Sequence, residues 1–440
     1  MNRNVSSEIP QWGSSLGFLL AALGSAIGIG NIWRFSYVVG ENGGGAFILV
    51  YLLAVTILGL PLLIAELAIG QRSRANPVTS FTRIAPTMPW RLAGWPGVIG
   101  SIAILAYYPV IAGWVARYLW AYASDDPRMA GAAGHAAYFE SFIASPVQPL
   151  LWFALVIAIA AAIVAAGVER GIEFASRVLM PAFALLVLLL AGYGLTLPGA
   201  PRALAFLFTP DWSMLGEPGT YLAAIGQAFF SIGLAMGILV TYGGYLSPSE
   251  RLPRAALVIA AGDTLIALLA GLVIFPAVFT HGIDPAQGPT LAFVVLPAGR
   301  WIAAAFFLLL LVAALTSVIA LLEVPVSLAM AKWRLRRPHA VLLVTGGVLL
   351  LGSPVALGYG SLRVLLPGGR FLLDLADHLA SNLVLPLSGI AIALFAGWAW
   401  PKADATRMSG LADRRLQIIW LWLLRLAIPA IIALVMVRGL

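Results

Sequence analysis

Apolar stretches of about 20 residues or more recur eleven times along this chain, and that recurrence restricts it to one kind of fold. A helix rises about 1.5 Å per residue, so about 20 apolar residues cross the hydrocarbon core of a bilayer. Lipid offers no partner for a free backbone N–H or C=O, so a segment crossing it is helical. The expected spans are roughly 12–36, 44–70, 90–122, 147–167, 173–197, 218–246, 253–279, 296–331, 339–358, 373–399 and 416–438. With 61% hydrophobic and 10% charged residues, the chain is expected to be a single all-α integral membrane domain over 1–440.

The net charge of +8 is arranged by topology. With the N-terminus in the cytoplasm, 17 lysines and arginines fall in inner segments, among them Arg72, Arg83, Arg251, Arg254, Lys332 and Arg337. Six fall outside (Arg128, Arg202, Arg300, Arg363, Arg370 and Arg438), and Arg34, Arg117 and Arg425 lie within helices. That bias puts the N-terminus inside, the C-terminus outside and the protein in the cell's inner (plasma) membrane, and it removes the case for a nucleic-acid partner. There is no cysteine, so disulfide and thiolate chemistry are excluded. The four histidines lie near helix ends or in loops and form no metal constellation. The first apolar segment is full-length and follows a short polar tail, so no cleavable signal is expected. No nucleophile, base or metal cluster suggests an enzyme.

Ala21 to Phe35 reads AALGSAIGIGNIWRF. Each glycine weakens a helix by about 1 kcal/mol relative to alanine, and Gly24, Gly28 and Gly30 favour unwinding near mid-membrane. Gly24-x-x-x-Gly28 also fits close helix packing, but Asn31 and Arg34 follow at a depth where polar side chains are costly. Unwound carbonyls suit a hard cation, and unwound N–H groups suit a carboxylate. Gln227 to Gly237, QAFFSIGLAMG, is interrupted in the same way. Two broken helices, five apart and oppositely directed, point to an inverted repeat of helices 1–5 (about 12–197) and 6–10 (about 218–399). An extra helix follows at about 416–438, and the site lies between the repeats. Ala26 to Asn31, Tyr108, Ser231, Asp263 and Thr316-Ser317 all fall at that depth. A carboxylate such as Asp263 costs about 3 kcal/mol at mid-membrane and requires a cation or a proton. The alternative is a structural acid paired with Arg34 or Arg117. Thr316 and Ser317 have their own alternative, hydrogen bonds back to the helix.

These residues resemble the neurotransmitter:sodium symporter family in its eleven-helix bacterial branch. The motifs are GSAIGIGNIWRF at 24–35, ENGGGAF at 41–47, PLLIAELAIGQRS at 61–73, Tyr107-Tyr108, GQAFFSIGLAMG at 226–237 and ALTS at 314–317, and the likeness covers roughly 11–435. The resemblance implies sodium-coupled import of a hydrophobic L-amino acid, aromatic ones included, by alternating access. It implies two sodium sites. One uses the Ala26 carbonyl, Asn31, Ser231 and Asp263; the other uses carbonyls of Gly24, Ile27 and Ala313 with the hydroxyls of Thr316 and Ser317. The substrate carboxylate would meet the N–H groups of Ile29 and Gly30 and the Tyr108 hydroxyl. Its ammonium would meet carbonyls of Ala26, Phe230, Ser231 and Gly233, and its side chain Ile104, Tyr108, Phe230, Gly233, Met236, Ser317 and Leu321. A different zwitterionic substrate, or a sensor that binds without transport, fits the same residues.

By the same resemblance, Arg34 and Asp377 form an outer gate above a lid of Phe230 and Tyr108, with Gln227 near Arg34. At the inner gate only Tyr245 keeps its place. Ile9 stands where the family has arginine, Ala331 and Lys332 stand near its aspartate, and Arg3 or Glu8 are the candidate substitutes. Ser36 replaces a frequent proline, and Glu323-Val324-Pro325 separates an acid and a proline that are usually adjacent. Gly171 and Pro181 carry a spacing associated with unwinding of helix 5. Asp263 and Ala267 replace an asparagine and a serine found in chloride-dependent members, which implies chloride-independence.

Overall fold

The computed structural model describes residues 10–87, 89–126, 131–286, 299–360, 362 and 371–439. All eleven expected spans contain helix. Among the described residues, nine continuous helices are long and apolar enough to cross a membrane: Gly45–Ser73, Trp90–Ala123, Gln148–Ala165, Val168–Leu195, Leu252–Thr280, Arg300–Trp333, Arg337–Leu357, Leu372–Ala399 and Arg414–Arg438. The first span is the pair Ser15–Ala26 and Gly30–Glu41, bent by 56° at its break. The sixth is split into Pro218–Ser231 and Ile238–Gly244, of 14 and 7 residues, each too short to cross alone.

Short helices that the spans did not anticipate join the long ones. Pro77–Ile84 begins where the Asn76 side chain accepts from the Thr79 N–H and proline occupies the first turn, a start that satisfies otherwise orphaned donors. Gly131–Ala144, Ala200–Phe208, Trp212–Gly216 and Lys402–Ser409 are others.

Burial sorts the long helices. Over its most apolar window Arg300–Trp333 is 78% buried, while Arg414–Arg438 is 28% buried. The first is wrapped by protein, and the second presents most of its surface outward. The broken helices lie at the centre beside Arg300–Trp333. Ile238–Gly244 packs backbone to backbone on Gly45–Ser73, where any side chain at Gly70 would strike the Val240 carbonyl and the Gly243–Gly244 backbone.

Candidate functional site

The first break is held open by side chains. The Gly28 N–H donates to Asn31 Oδ1 at 3.0 Å, and the Ile29 N–H donates to the Tyr108 hydroxyl at 3.0 Å. Neither bond continues the i→i−4 ladder, so the carbonyls of Gly24 and Ser25 lose their helical donors. The second break turns through positive φ at Gly233 (+69°), Ala235 (+65°) and Gly237 (+72°), values that glycine adopts without strain and alanine does not. Two buried residues buttress it. Glu66 Oε1 accepts from the Ala235 N–H at 2.7 Å, and Ser101 donates to the Met236 carbonyl at 2.5 Å.

The two breaks meet at a buried cluster. Asn31 Nδ2 donates to Ser231 Oγ at 2.8 Å and to Asp263 Oδ1 at 2.6 Å. Ser231 donates to Asp263 Oδ2 at 2.7 Å, and the Tyr51 hydroxyl lies 3.4 Å from both Ser231 Oγ and Asp263 Oδ2. All four side chains are sealed from solvent. Asp263 pairs with neither arginine proposed as the alternative: Arg34 lies over the Phe230 ring at 4.9 Å, and Arg117 faces Tyr138 and Trp152 at 5.3 and 5.9 Å. Among the described residues no group of three or more His, Cys, Asp or Glu gathers as for a transition metal. One carboxylate among neutral oxygens suits a hard monovalent cation better.

Gly24 faces the other expected ion site. A side-chain carbon there would come within 3.1 Å of Thr316 Cβ. Thr316 donates to the carbonyls of Val312 (3.1 Å) and Ala313 (3.0 Å), and Ser317 to Ala313 (3.1 Å). The hydroxyls therefore make the helix back-bonds of the plain alternative while standing beside the broken segment.

Between the breaks lies a small cavity of about 40 Å³. Ala26, Gly30, Ile104, Tyr108, Phe230, Gly233, Met236, Ser317 and Leu321 line it, joined by Ser25, Gly28, Asn31 and Ile238. Ile29 and Ser231 stand behind the wall. Ile29 turns its N–H to Tyr108, and Ser231 turns its hydroxyl to Asp263.

Above Phe230 a vestibule of about 520 Å³ is lined by Arg34, Tyr37, Asp374, Asp377, His378, Ser381 and Asn382. Arg34 and Asp377 share it without an ion pair. Asp377 Oδ1 accepts from Tyr107 (2.7 Å) and Ser381 (3.1 Å) instead. Gln227 is fully buried one turn before Ser231, makes no bond to Arg34, and its side-chain amide has no hydrogen-bond partner among the described residues.

The opposite end is sealed. Trp12 donates from its ring to the Tyr242 carbonyl (3.0 Å) and from its backbone to the Tyr245 carbonyl (3.2 Å). Glu173 accepts from the Gly13 N–H and the Ser14 hydroxyl and pairs with Arg177 at 2.6 Å. The Tyr245 hydroxyl donates to Glu323 at 2.6 Å, and Glu323 takes both guanidinium arms of Arg337 at 2.7 and 2.8 Å. Arg3, Glu8 and Ile9 lie outside the described residues. Helix Val168–Leu195 is wound through Gly171 and Pro181. Gly171 has a packing reason of its own: a side chain there would strike the Ile163 carbonyl.

The chain is 39% identical over 437 residues to YhdH of Bacillus subtilis, an uncharacterized sodium-dependent transporter, covering 97% of this chain and 96% of that one. It is 32% identical over 449 residues to an uncharacterized sodium-dependent transporter of Haemophilus influenzae, covering 98% of each. The crystal structure of MhsT in complex with L-phenylalanine superimposes with a TM-score of 0.90 at 47% identity, covering 98% of this chain and all of that one. The description of the sodium:neurotransmitter symporter family matches residues 9–128 and 140–440, and the chain belongs to that family.

Proposed function

We propose that this protein imports a hydrophobic L-amino acid, aromatic ones included, driven by sodium and without chloride. The observation that carries the reading is Asn31. It joins the buried Asp263 and Ser231 on one side and the N–H of Gly28, on the cavity wall, on the other. An ion held at Asp263 and a zwitterion in the cavity would share that one segment. The first ion would take Asp263, Ser231, Asn31 and the Ala26 carbonyl. The second would take the carbonyls of Gly24, Ile27 and Ala313 with Thr316 and Ser317.

The substrate carboxylate would take the place of the bond between Ile29 and Tyr108, adding the Gly30 N–H. Carbonyls of Ala26, Phe230, Ser231 and Gly233 would accept from its ammonium. The lining formed by Ile104, Phe230, Met236 and Leu321 favours an apolar side chain, and the structurally similar MhsT was crystallised with L-phenylalanine. Gly28 brings no charge, so the substrate supplies its own carboxylate.

In this reading the N-terminus is cytoplasmic and the C-terminus outside, as the distribution of lysine and arginine favours. The vestibule at Arg34 and Asp377 is the outer entrance, and the seal at Trp12, Tyr245, Glu323 and Arg337 is the closed inner gate. Two five-helix repeats rock about the midplane site, and helix 5 unwinds at Gly171 and Pro181 to admit water. Two sodium ions moving down a tenfold gradient and about 100 mV supply about 7 kcal/mol, enough to concentrate a neutral zwitterion about five orders of magnitude.

The test is competition binding of the twenty amino acids, with and without sodium, together with tyramine. Hydrophobic amino acids should compete only when sodium is present, and tyramine far more weakly than tyrosine. Equal affinity for both would remove the carboxylate from the argument. Binding without uptake in proteoliposomes would turn the reading to the sensor.

A further inference from the structure

A cavity of about 930 Å³ opens at the end of the molecule where Trp12 lies, away from the midplane site. Its walls are the end of Gly45–Ser73, the connection at 248–251, the first turn of Leu252–Thr280 and the segment at 407–412. Four guanidinium groups line it, those of Arg72, Arg251, Arg254 and Arg407, against one carboxylate, Glu250.

The counter-charges are unevenly shared. Arg72 and Arg407 both pair with Asp404, at 2.9 and 2.5 Å. Glu250 accepts from the Ser15 hydroxyl at 3.0 Å. Arg251 and Arg254 form no ion pair among the described residues. Arginines gathered at one face of a membrane protein are ordinary topology, but these four share a walled concavity. Its sides are held together, since a side-chain carbon at Gly410 would lie 3.0 Å from Pro253 Cδ.

The surroundings identify the anion. About one turn above Pro253, Leu257 is 57% exposed. An arginine-lined concavity whose wall continues to the outward-facing Leu257 matches a phosphate headgroup with acyl chains attached. Free phosphate would use the arginines and leave the apolar flank bare. We propose that this cavity binds the headgroup of an anionic phospholipid through Arg251 and Arg254, with Arg72 and Arg407 completing the cationic wall. The connection at 248–251 follows the half-helix Ile238–Gly244 after residues 245–247, so a bound lipid would tether the chain just beyond the inner seal.

The test is native mass spectrometry of the full chain in neutral detergent, titrated with phosphatidylglycerol, phosphatidylcholine or inorganic phosphate. Phosphatidylglycerol should bind in preference to phosphatidylcholine, and millimolar phosphate should not displace it. Each arginine near a membrane surface attracts an anionic lipid measurably, so Arg251→Gln with Arg254→Gln should weaken binding by about 30-fold. Arg334→Gln with Arg336→Gln, the same charge loss at the same face but outside the cavity, should leave it nearly unchanged. Arg254→Lys, which keeps the charge, should retain most of it and guards against misfolding of the double variant. Equal weakening by both double variants, equal binding of phosphatidylcholine, or full displacement by phosphate would each overturn the proposal.

Discussion

Arg337→Gln should be among the most destabilising single changes in this protein. Glu323 has 0% side-chain exposure, and Arg337 has 12%. Both carboxylate oxygens bond to the guanidinium, and Oε1 also accepts from Tyr245. Removing Arg337 leaves a fully buried carboxylate with one neutral donor, and stranding a charge in this way costs about 3–5 kcal/mol. Glu323→Gln should cost less. The amide still accepts from Tyr245, and Arg337 keeps the Val164 carbonyl at 3.1 Å and is nearer to solvent. The double variant removes both charges, so its cost should fall below that of Arg337→Gln alone, with a coupling of about 2–3 kcal/mol. The assay is unfolding of purified protein in mixed micelles by SDS titration, followed by circular dichroism. Costs that simply add in the double variant would refute the reasoning, as would a loss below about 1 kcal/mol for Arg337→Gln.

Replacing chloride by gluconate should leave sodium-driven uptake unchanged, whereas Asp263→Asn, which removes the carboxylate beside Asn31 and Ser231, should weaken sodium binding at least about tenfold at the low dielectric of a buried site. Loss of wild-type uptake in gluconate would end the charge-substitution argument. Pro181→Ala should slow uptake and sodium release with equilibrium binding nearly intact; unchanged uptake would leave the glycine–proline spacing incidental. Burial alone would raise the Asp404 carboxyl, but hydrogen bonds from Trp400, Arg72 and Arg407 outweigh it and hold it at about 2. A depressed acid stabilises the fold above its unfolded value of about 4 and loses that contribution as pH falls toward 2. The stability difference between wild type and Asp404→Asn should therefore be constant from pH 7 to about 4 and shrink below it; a difference that grows on acidification would reverse the assignment.

What the sequence made legible was composition with a physical cost. Three glycines followed by Asn31 inside an apolar stretch have no comfortable place facing lipid, and Asp263 has none without a partner, so both mark a candidate site in the sequence itself. Glu66 and Ser101 were not legible as partners of the second break. They serve the backbone N–H of Ala235 and the carbonyl of Met236, and a backbone group freed by unwinding leaves no mark in the sequence. Tyr51 reaches Asp263 from Gly45–Ser73 with nothing in its neighbourhood to set it apart. Glu323 stood out only as a departure from a pattern. Its partner lies 14 residues on, across the turn into Arg337–Leu357, and that turn decides which arginine meets it. Arg34 and Asp377 line one vestibule, but Asp377 accepts from Tyr107 and Ser381 rather than pairing with Arg34, and sequence spacing does not reveal that choice.

Asn31 also says something about order. An asparagine has one acceptor oxygen and one NH₂ group. Here the oxygen holds the Gly28 N–H, and the NH₂ is spent on Ser231 and Asp263. A cation beside Asp263 needs oxygen toward it, so in the proposed cycle the amide turns over. The Gly28 N–H then loses its acceptor on the wall of the cavity, where a substrate carboxylate is the natural replacement. Sodium would thus raise amino acid affinity by releasing a donor, and the substrate would raise sodium affinity by the same factor. Asn31→Ala removes that acceptor permanently. Sodium-free amino acid binding should rise above that of the wild type, while the enhancement by sodium falls toward one. Isothermal titration of both proteins with and without sodium measures each quantity. If sodium-free affinity drops in the variant, Asn31 is only an ion ligand and the release of Gly28 plays no part in coupling.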